Sequence, residues 1–325
     1  MPKHNKSMPR KILTKQIMNN TDIALLLRKT TRRQVLRNLG LGAVGLAAFG
    51  ARPAHGQIAI NSIETTSPYP IESIPAGDLK ILDFALNLEY LEANFYSYAT
   101  TGVGIESQGV EITGRGTQGT VNVPTTSMVT FSDPSVQQYA AEITADEIAH
   151  VKFLRGLVLA AGHIPIAQPA IDLVNSFNTA ASAAGLGSSF SPFTNDLNFL
   201  LGAFIFEDVG VTAYHGALAS FIGKNTMKDA AGIMGTEAYH ASNVRTLLFE
   251  KGSAAQAAAQ DISNARNSLG GQGLDQGVVV NGNANIVPAD TNALVYARTT
   301  QEVLNIVYLS ANGAPGGFFP NGINA

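Results

Sequence analysis

An all-α fold, a four-helix bundle with one long crossover connection, is predicted by three features of the sequence. Four long segments repeat apolar residues at three- and four-residue spacing, the period of a half-buried helix. Helix-start and helix-stop residues bracket these segments. Two Glu-x-x-His motifs, Glu147/His150 and Glu237/His240, lie in alternate segments. Each is preceded, one segment earlier, by a Glu with a Tyr seven residues on: Glu89/Tyr96 and Glu207/Tyr214.

The first 56 of the 325 residues stand apart. Arg32 and Arg33 precede Asn38 to Gly50, a short, Gly-rich, weakly apolar run, and Ala54-His55-Gly56 supplies small residues beyond it. That order reads as a twin-arginine signal peptide over 1–56. The run is shorter than the ~20 apolar residues of a membrane span. An exported protein, periplasmic or extracellular, is expected, with no membrane insertion after export. Eleven of the 21 Lys and Arg residues fall in this segment, against one acidic residue, Asp22. The remaining 269 residues hold 10 basic and 23 acidic side chains, a formal net charge of −13. Such a surface argues against nucleic acid as a partner; a homo-oligomer is compatible with it. The chain has no Cys, so an exported form depends on a packed core rather than on disulfides.

Residues 57–77 carry several prolines and no clear period, an extended lead-in. The bundle is expected over 78–252. Its first helix starts with Asp78 as cap, runs to Gly102, and repeats Ile81, Phe84, Ala85, Leu88, Leu91 and Phe95 at helical spacing. A Gly-, Thr- and Val-rich insertion fills 102–132, and the alternation at Thr120-Val121-Asn122-Val123 suggests a short strand. Ser132-Asp133-Pro134 starts the second helix, which stops at Gly162. A second long connection, 163–193, carries the crossover and an Ala-rich helix near 170–184. The third helix begins between Pro192 and Asp196 and ends at Gly223; the fourth follows a tight turn and ends at Gly252. Residues 253–325 form a C-terminal extension. It is Ala-rich, then Gly- and Asn-rich, then helical over about Arg298 to Leu309, with the aromatic tail Gly316-Gly317-Phe318-Phe319-Pro320 packing back on the body. Glu89 lies 13 residues before the end of helix one, and Glu147 lies 13 after the start of helix two. At ~1.5 Å per residue, both sit about 20 Å from the shared end.

Glu and His three apart lie on one helix face. Two such pairs, with Glu89 and Glu207, bring four carboxylates and two imidazoles to one place, a six-ligand set for two metal ions. Those donors suit hard and borderline divalent metals. Two divalent ions also neutralise four glutamates whose burial would otherwise force protonation. With 12 Glu and four His in residues 57–325, random placement yields roughly 0.2 Glu-x-x-His motifs. The order Glu, ExxH, Glu, ExxH makes two halves, 78–162 and 194–252, an internal repeat in pattern. Glu92 is the other acid on helix one; Glu89 is favoured because, like Glu207, it has the Tyr seven residues on.

The stretches Asn87 to Ala93, Asp146 to His150, Phe206 to Asp208 and Thr236 to His240 resemble the ferritin-like superfamily of di-metal carboxylate bundles. With the tail Gly316 to Gly322, they more narrowly resemble bacterial secreted ferritin-like proteins similar to plant desiccation-related proteins. The resemblance covers most of 78–322. It implies a centre of two iron or manganese ions. Glu147 and Glu237 would bridge the ions, Glu89 and Glu207 would cap one each, and His150 and His240 would bind one each. Tyr96 and Tyr214 would hydrogen-bond the carboxylates, or serve as ordinary core aromatics. The small partner expected is peroxide or dioxygen.

Other residues have plainer readings. His163 sits at a helix end, and His215 reads as a packed or solvated side chain. Asp146 and Asp208 neighbour ligands but point off their face, as surface charges; Glu142 shares the site face or is solvated. Gly232 and Gly235, costly inside a helix, suggest close helix packing. Two functions compete. One is a di-iron or di-manganese redox enzyme acting on peroxide or dioxygen in oxidative-stress protection. The other is a non-catalytic desiccation or stress protein stapled by its metal. Iron storage in a cage is weaker, because long insertions obstruct shell packing.

Overall fold

The computed structural model describes residues 74–325. The expected signal peptide over 1–56 and lead-in residues 57–73 lie outside them. Four helices form the bundle: α1 (Ala76–Thr101), α2 (Pro134–Ala160), α4 (Asp196–Leu218) and α5 (Lys224–Glu250). A short α3 (Asn175–Ala183) lies in the crossover, and α6 (Ser253–Gly270) and α7 (Thr300–Val307) form the extension. The chain is all-α apart from short strand pairs. α1 packs chiefly on α2 and α4 chiefly on α5, and the two hairpins meet along α1/α4 and α2/α5.

Local chemistry sets the helix ends. Asp133 accepts from the Ser135 amide and Pro134 opens α2. Asn195 accepts from Asn198 to start α4. Gly102 and Gly252 take positive φ just past α1 and α5, a backbone state open to a residue without Cβ. The Asp196 carboxylate accepts from the Ser132 and Asp133 amides, tying the start of α2 to the start of α4.

Asp78 differs from expectation. It is buried in the first turn of α1 and ties down the α4–α5 turn: its carboxylate accepts from the Ile222 and Gly223 amides at 2.9 Å and from Thr226 Oγ1 at 2.8 Å. The same bonds explain why α4 stops at Leu218 rather than Gly223, since Asp78 takes amides that would otherwise continue the helix.

The 102–132 insertion pairs with the crossover. Val121–Asn122 (β1) runs parallel to Ile171–Asp172 (β2). Arg115 N donates to Pro165 O at 2.9 Å, and Gly119 N to Gln168 O at 2.9 Å. Strands Val279–Val280 (β3) and Asn283–Ala284 (β4) form a small hairpin after α6.

α4 is long and apolar enough to cross a membrane by composition, yet 89% of that window is buried in the bundle. It is the central core helix, apolar on every side. Around its first half Phe95, Phe177, Phe193, Phe199 and Phe206 form one aromatic cluster. The tail completes it: Phe318 meets Phe177 edge-on at 5.1 Å and Phe206 at 4.9 Å.

The extension also corrects the reading of Asp208. That residue is buried and pairs at 2.8 Å with Arg245 and with Arg266, which in turn holds Asp275 at 2.8 Å; Arg298 closes the chain on Asp275 at 2.9 Å. α6 lies in the stretch read only as Ala-rich; Ala255, Ala259, Ile262 and Arg266, four of its buried residues, follow a helical period. α7 opens with a Thr299/Glu302 capping box.

Phe318→Ala should cost about 3–5 kcal/mol, as large aromatic truncations in a core do, read as a lower urea midpoint. A loss below about 1 kcal/mol would mean that the tail adds little to the core.

Candidate metal centre

All six expected ligand residues meet at mid-bundle, one set from each of four helices. α1 brings Glu89, α2 brings Glu147 and His150, α4 brings Glu207, and α5 brings Glu237 and His240. Each is less than 9% exposed. His150 Nδ1 lies 3.2 Å from Glu89 Oε2, 3.6 Å from Glu147 Oε2 and 3.3 Å from Glu237 Oε1. His240 Nδ1 lies 3.2 Å from Glu147 Oε1 and 3.4 Å from Glu207 Oε2. Two clusters result, Glu89/Glu147/His150/Glu237 and Glu147/Glu207/Glu237/His240, each able to hold a metal ion. Glu147 and Glu237 belong to both.

Tyr96 and Tyr214 donate to carboxylates, and the pairing is crossed. Tyr96 Oη donates to Glu207 Oε1, and Tyr214 Oη to Glu89 Oε1. Seven residues span about 10 Å along a helix, so each Tyr is too far along to reach its own Glu. Each braces the Glu of the other half instead.

The atoms left over fit a metal pair. Glu147 and Glu237 leave both carboxylate oxygens without a hydrogen-bond partner. Glu89 and Glu207 leave only Oε2, the tyrosines holding the other, and both histidines leave Nδ1. The imidazole–carboxylate contacts at 3.2–3.6 Å are therefore close in distance but lack hydrogen-bond geometry. An unsatisfied buried polar group costs about 1–3 kcal/mol. Eight together rival the ~5–15 kcal/mol net stability of a domain. Each cluster could hold a metal ion, and Glu147 and Glu237, common to both, have both carboxylate oxygens free.

Without metal, protons take over part of the neutralisation. Burial opposes the charged form of His150, but Glu89 and Glu147 outweigh it and hold the ring protonated far above its usual range. His240 is held likewise, chiefly by Glu207. Burial raises Glu89 to about 7 despite His150 beside it. Burial raises Glu207 and Glu237 as well, the latter reinforced by the Glu147 carboxylate. Burial also works against ionised Glu147, yet His150 and His240 override it and hold that carboxyl well below the usual range.

Glu92 is buried at 6% exposure with Oε2 unpartnered, and falls outside both clusters. Burial, then the carboxylates of Glu237, Glu147, Glu207 and Glu89, push its carboxyl well above the usual range, so it stays protonated. Three further residues differ from the sequence reading. Asp146, read as a surface charge, accepts from His240 Nε2 at 3.3 Å. Gly232 and Gly235 face open space; the glycine packed against a donor is Gly210 on α4, where a Cβ would sit 2.6 Å from Glu237 Oε2. A glycine inside an otherwise strong helix was the available signal. His215 bonds the Tyr296 carbonyl at 3.1 Å, away from the centre; His163 and Glu142 are exposed.

Glu92→Gln should keep the metal, because Glu92 lies outside both clusters, whereas Glu89→Gln should weaken or lose it; elemental analysis of the loaded variants decides. Metal uptake at pH 7 should release at least about two protons per chain, from His150 and His240. Raising the pH should tighten binding, because metal uptake displaces those protons. Calorimetry in two buffers of different ionisation heat measures the release; no release would mean that both rings are already neutral.

The sequence model of the ferritin-like domain matches residues 77–250, from the start of α1 to the end of α5. The chain is 29% identical over 271 residues to the desiccation-related protein PCC13-62 of Craterostigma plantagineum, covering 77% of this chain and 83% of that one. It is 28% identical over 272 residues to the ferritin-like catalase Nec2 of Nesocodon mauritianus, covering 77% and 85%. The matched region spans more than half of the 325 residues and contains all six donors, and the chain belongs to the ferritin-like domain family.

Proposed function

We propose that this protein is exported and holds two iron or manganese ions that act on peroxide or dioxygen, in protection against oxidative stress. The observation that carries the proposal is the pair of clusters sharing Glu147 and Glu237, with eight donor atoms free of hydrogen bonds. The similarity to a ferritin-like catalase supports peroxide as the substrate. The export reading rests on the arginine pair, apolar run and small residues of 1–56.

Bound there, two redox-active ions supply electron transfer and open coordination positions for a small oxidant. The protein's own residues do the rest. Four glutamates balance the charge of two divalent ions. Glu147 and Glu237 have both oxygens free to bridge, and Glu89 and Glu207 one each to cap. Tyr96 and Tyr214 hold the capping carboxylates in place. The aromatic cluster beside Tyr96 keeps bulk water from that end of the site.

A second reading is favoured by the similarity to a desiccation-related protein: the same ions serve as a staple that stabilises the bundle, without turnover. The two readings part on reaction with peroxide.

Elemental mass spectrometry of the exported protein should find about two iron or manganese ions per chain, lost in Glu147→Ala. The loaded protein should release dioxygen from hydrogen peroxide. Tyr96→Phe should retain both ions yet change turnover by ~10-fold or more, as loss of a ligand-supporting hydrogen bond does. Two bound ions without peroxide turnover would favour the staple; no bound metal would remove both readings.

A further inference from the structure

We infer that the two metal positions are unequal, and that Asp146 makes the position beside His240 and Glu207 the tighter one, filled first. The inference rests on the two-ion reading above. The two halves of the site match closely. Each cluster contains three carboxylates and one imidazole. Each capping Glu is held by a Tyr of the opposite half, and each His turns Nδ1 inward onto the glutamates. By its direct donors alone, neither position is preferred.

The symmetry breaks one atom further out. The residue before Glu147 is Asp146; its counterpart before Glu237 is Thr236. Asp146 Oδ2 lies 3.3 Å from His240 Nε2. Among the described residues no carboxylate pairs with His150 Nε2, and the Thr236 hydroxyl donates to Gly232 O of its own helix at 3.4 Å. An acceptor on Nε2 fixes the proton there. It leaves the Nδ1 lone pair for metal, holds the ring plane and makes the nitrogen a stronger donor. Loss of such a partner typically weakens metal binding by ~10–100-fold. Asp146 is therefore a positioning residue for His240, and among the described residues His150 has no equivalent carboxylate. The position beside Glu89 and His150 is then the weaker and more exchangeable one.

Metal-free full-length protein titrated with Mn(II), followed by calorimetry and electron paramagnetic resonance, tests this. Wild type should bind in two steps separated by ~10–100-fold, with the spectrum of an isolated ion at one equivalent. Asp146→Asn should weaken the first step by that factor and leave the second nearly unchanged. Thr236→Asp, which places a carboxylate at the matching position, should tighten the second step. Glu142→Gln removes the same charge one turn away on α2 and should change neither. The inference is overturned if Asp146→Asn leaves both constants as in wild type, if Glu142→Gln has the same effect, or if folded Thr236→Asp leaves the second step unchanged. A single wild-type step with a coupled-pair spectrum from the first addition also overturns it, while two ions still bind and the two-ion reading stands. Wild type that binds no Mn(II) overturns both.

Discussion

Four glutamates and two histidines share one buried volume at the middle of the bundle, and their charge must be balanced there. Isolated carboxylates in that volume would be expensive to keep ionised. The metal-free protein meets the demand with protons, on both imidazoles and in part on the glutamates. Divalent metal would meet it more completely, because it would also engage the oxygens and nitrogens that lack hydrogen bonds. Local design around the centre follows from this one requirement.

The supporting contacts hold the donors in place from several directions. Crossed Tyr–Glu hydrogen bonds lock α1 to α4, so the capping carboxylates cannot be moved independently. Gly210 clears the space that the Glu237 carboxylate occupies. Next to Glu207, Asp208 anchors α4 to Arg245 of α5 and Arg266 of α6, and Asp275 links that network to Arg298. Removing one member would strand a buried charge, an effect usually worth about 3–5 kcal/mol. The C-terminal extension thus belongs to the scaffold of the centre. Phe318 adds its ring to Phe206, the residue before Glu207.

The bundle was legible because helical spacing is local. The Glu-x-x-His pairs, the Asp133-Pro134 start and the Gly102, Gly162 and Gly252 stops are encoded within a few residues. The juxtaposition of all six donors followed from the repeated Glu, Glu-x-x-His order on four helices, with register matching Glu89 to Glu147. What the sequence hid depends on partners far along the chain. Asp78 looks like a cap for its own helix but serves the α4–α5 turn, more than 140 residues away. Asp208 and Asp146 look alike beside their ligands; one is sealed by two arginines from distant segments and the other meets a histidine of the opposite half. Glycines could be flagged on α5, but only packing shows that the one against a ligand is Gly210 on α4. Tyr96 and Tyr214 were visible as a repeat, yet their crossed pairing needs the helices docked.

The most direct measurement is an anomalous-scattering crystal structure of the metal-loaded protein at the manganese and iron edges. Two peaks about 3.5–4 Å apart, the spacing of two-metal sites, are predicted. Glu147 and Glu237 should span both, with Glu89 and His150 on one and Glu207 and His240 on the other. A single peak, or metal bound away from these six residues in a protein loaded to saturation, would contradict the two-ion centre.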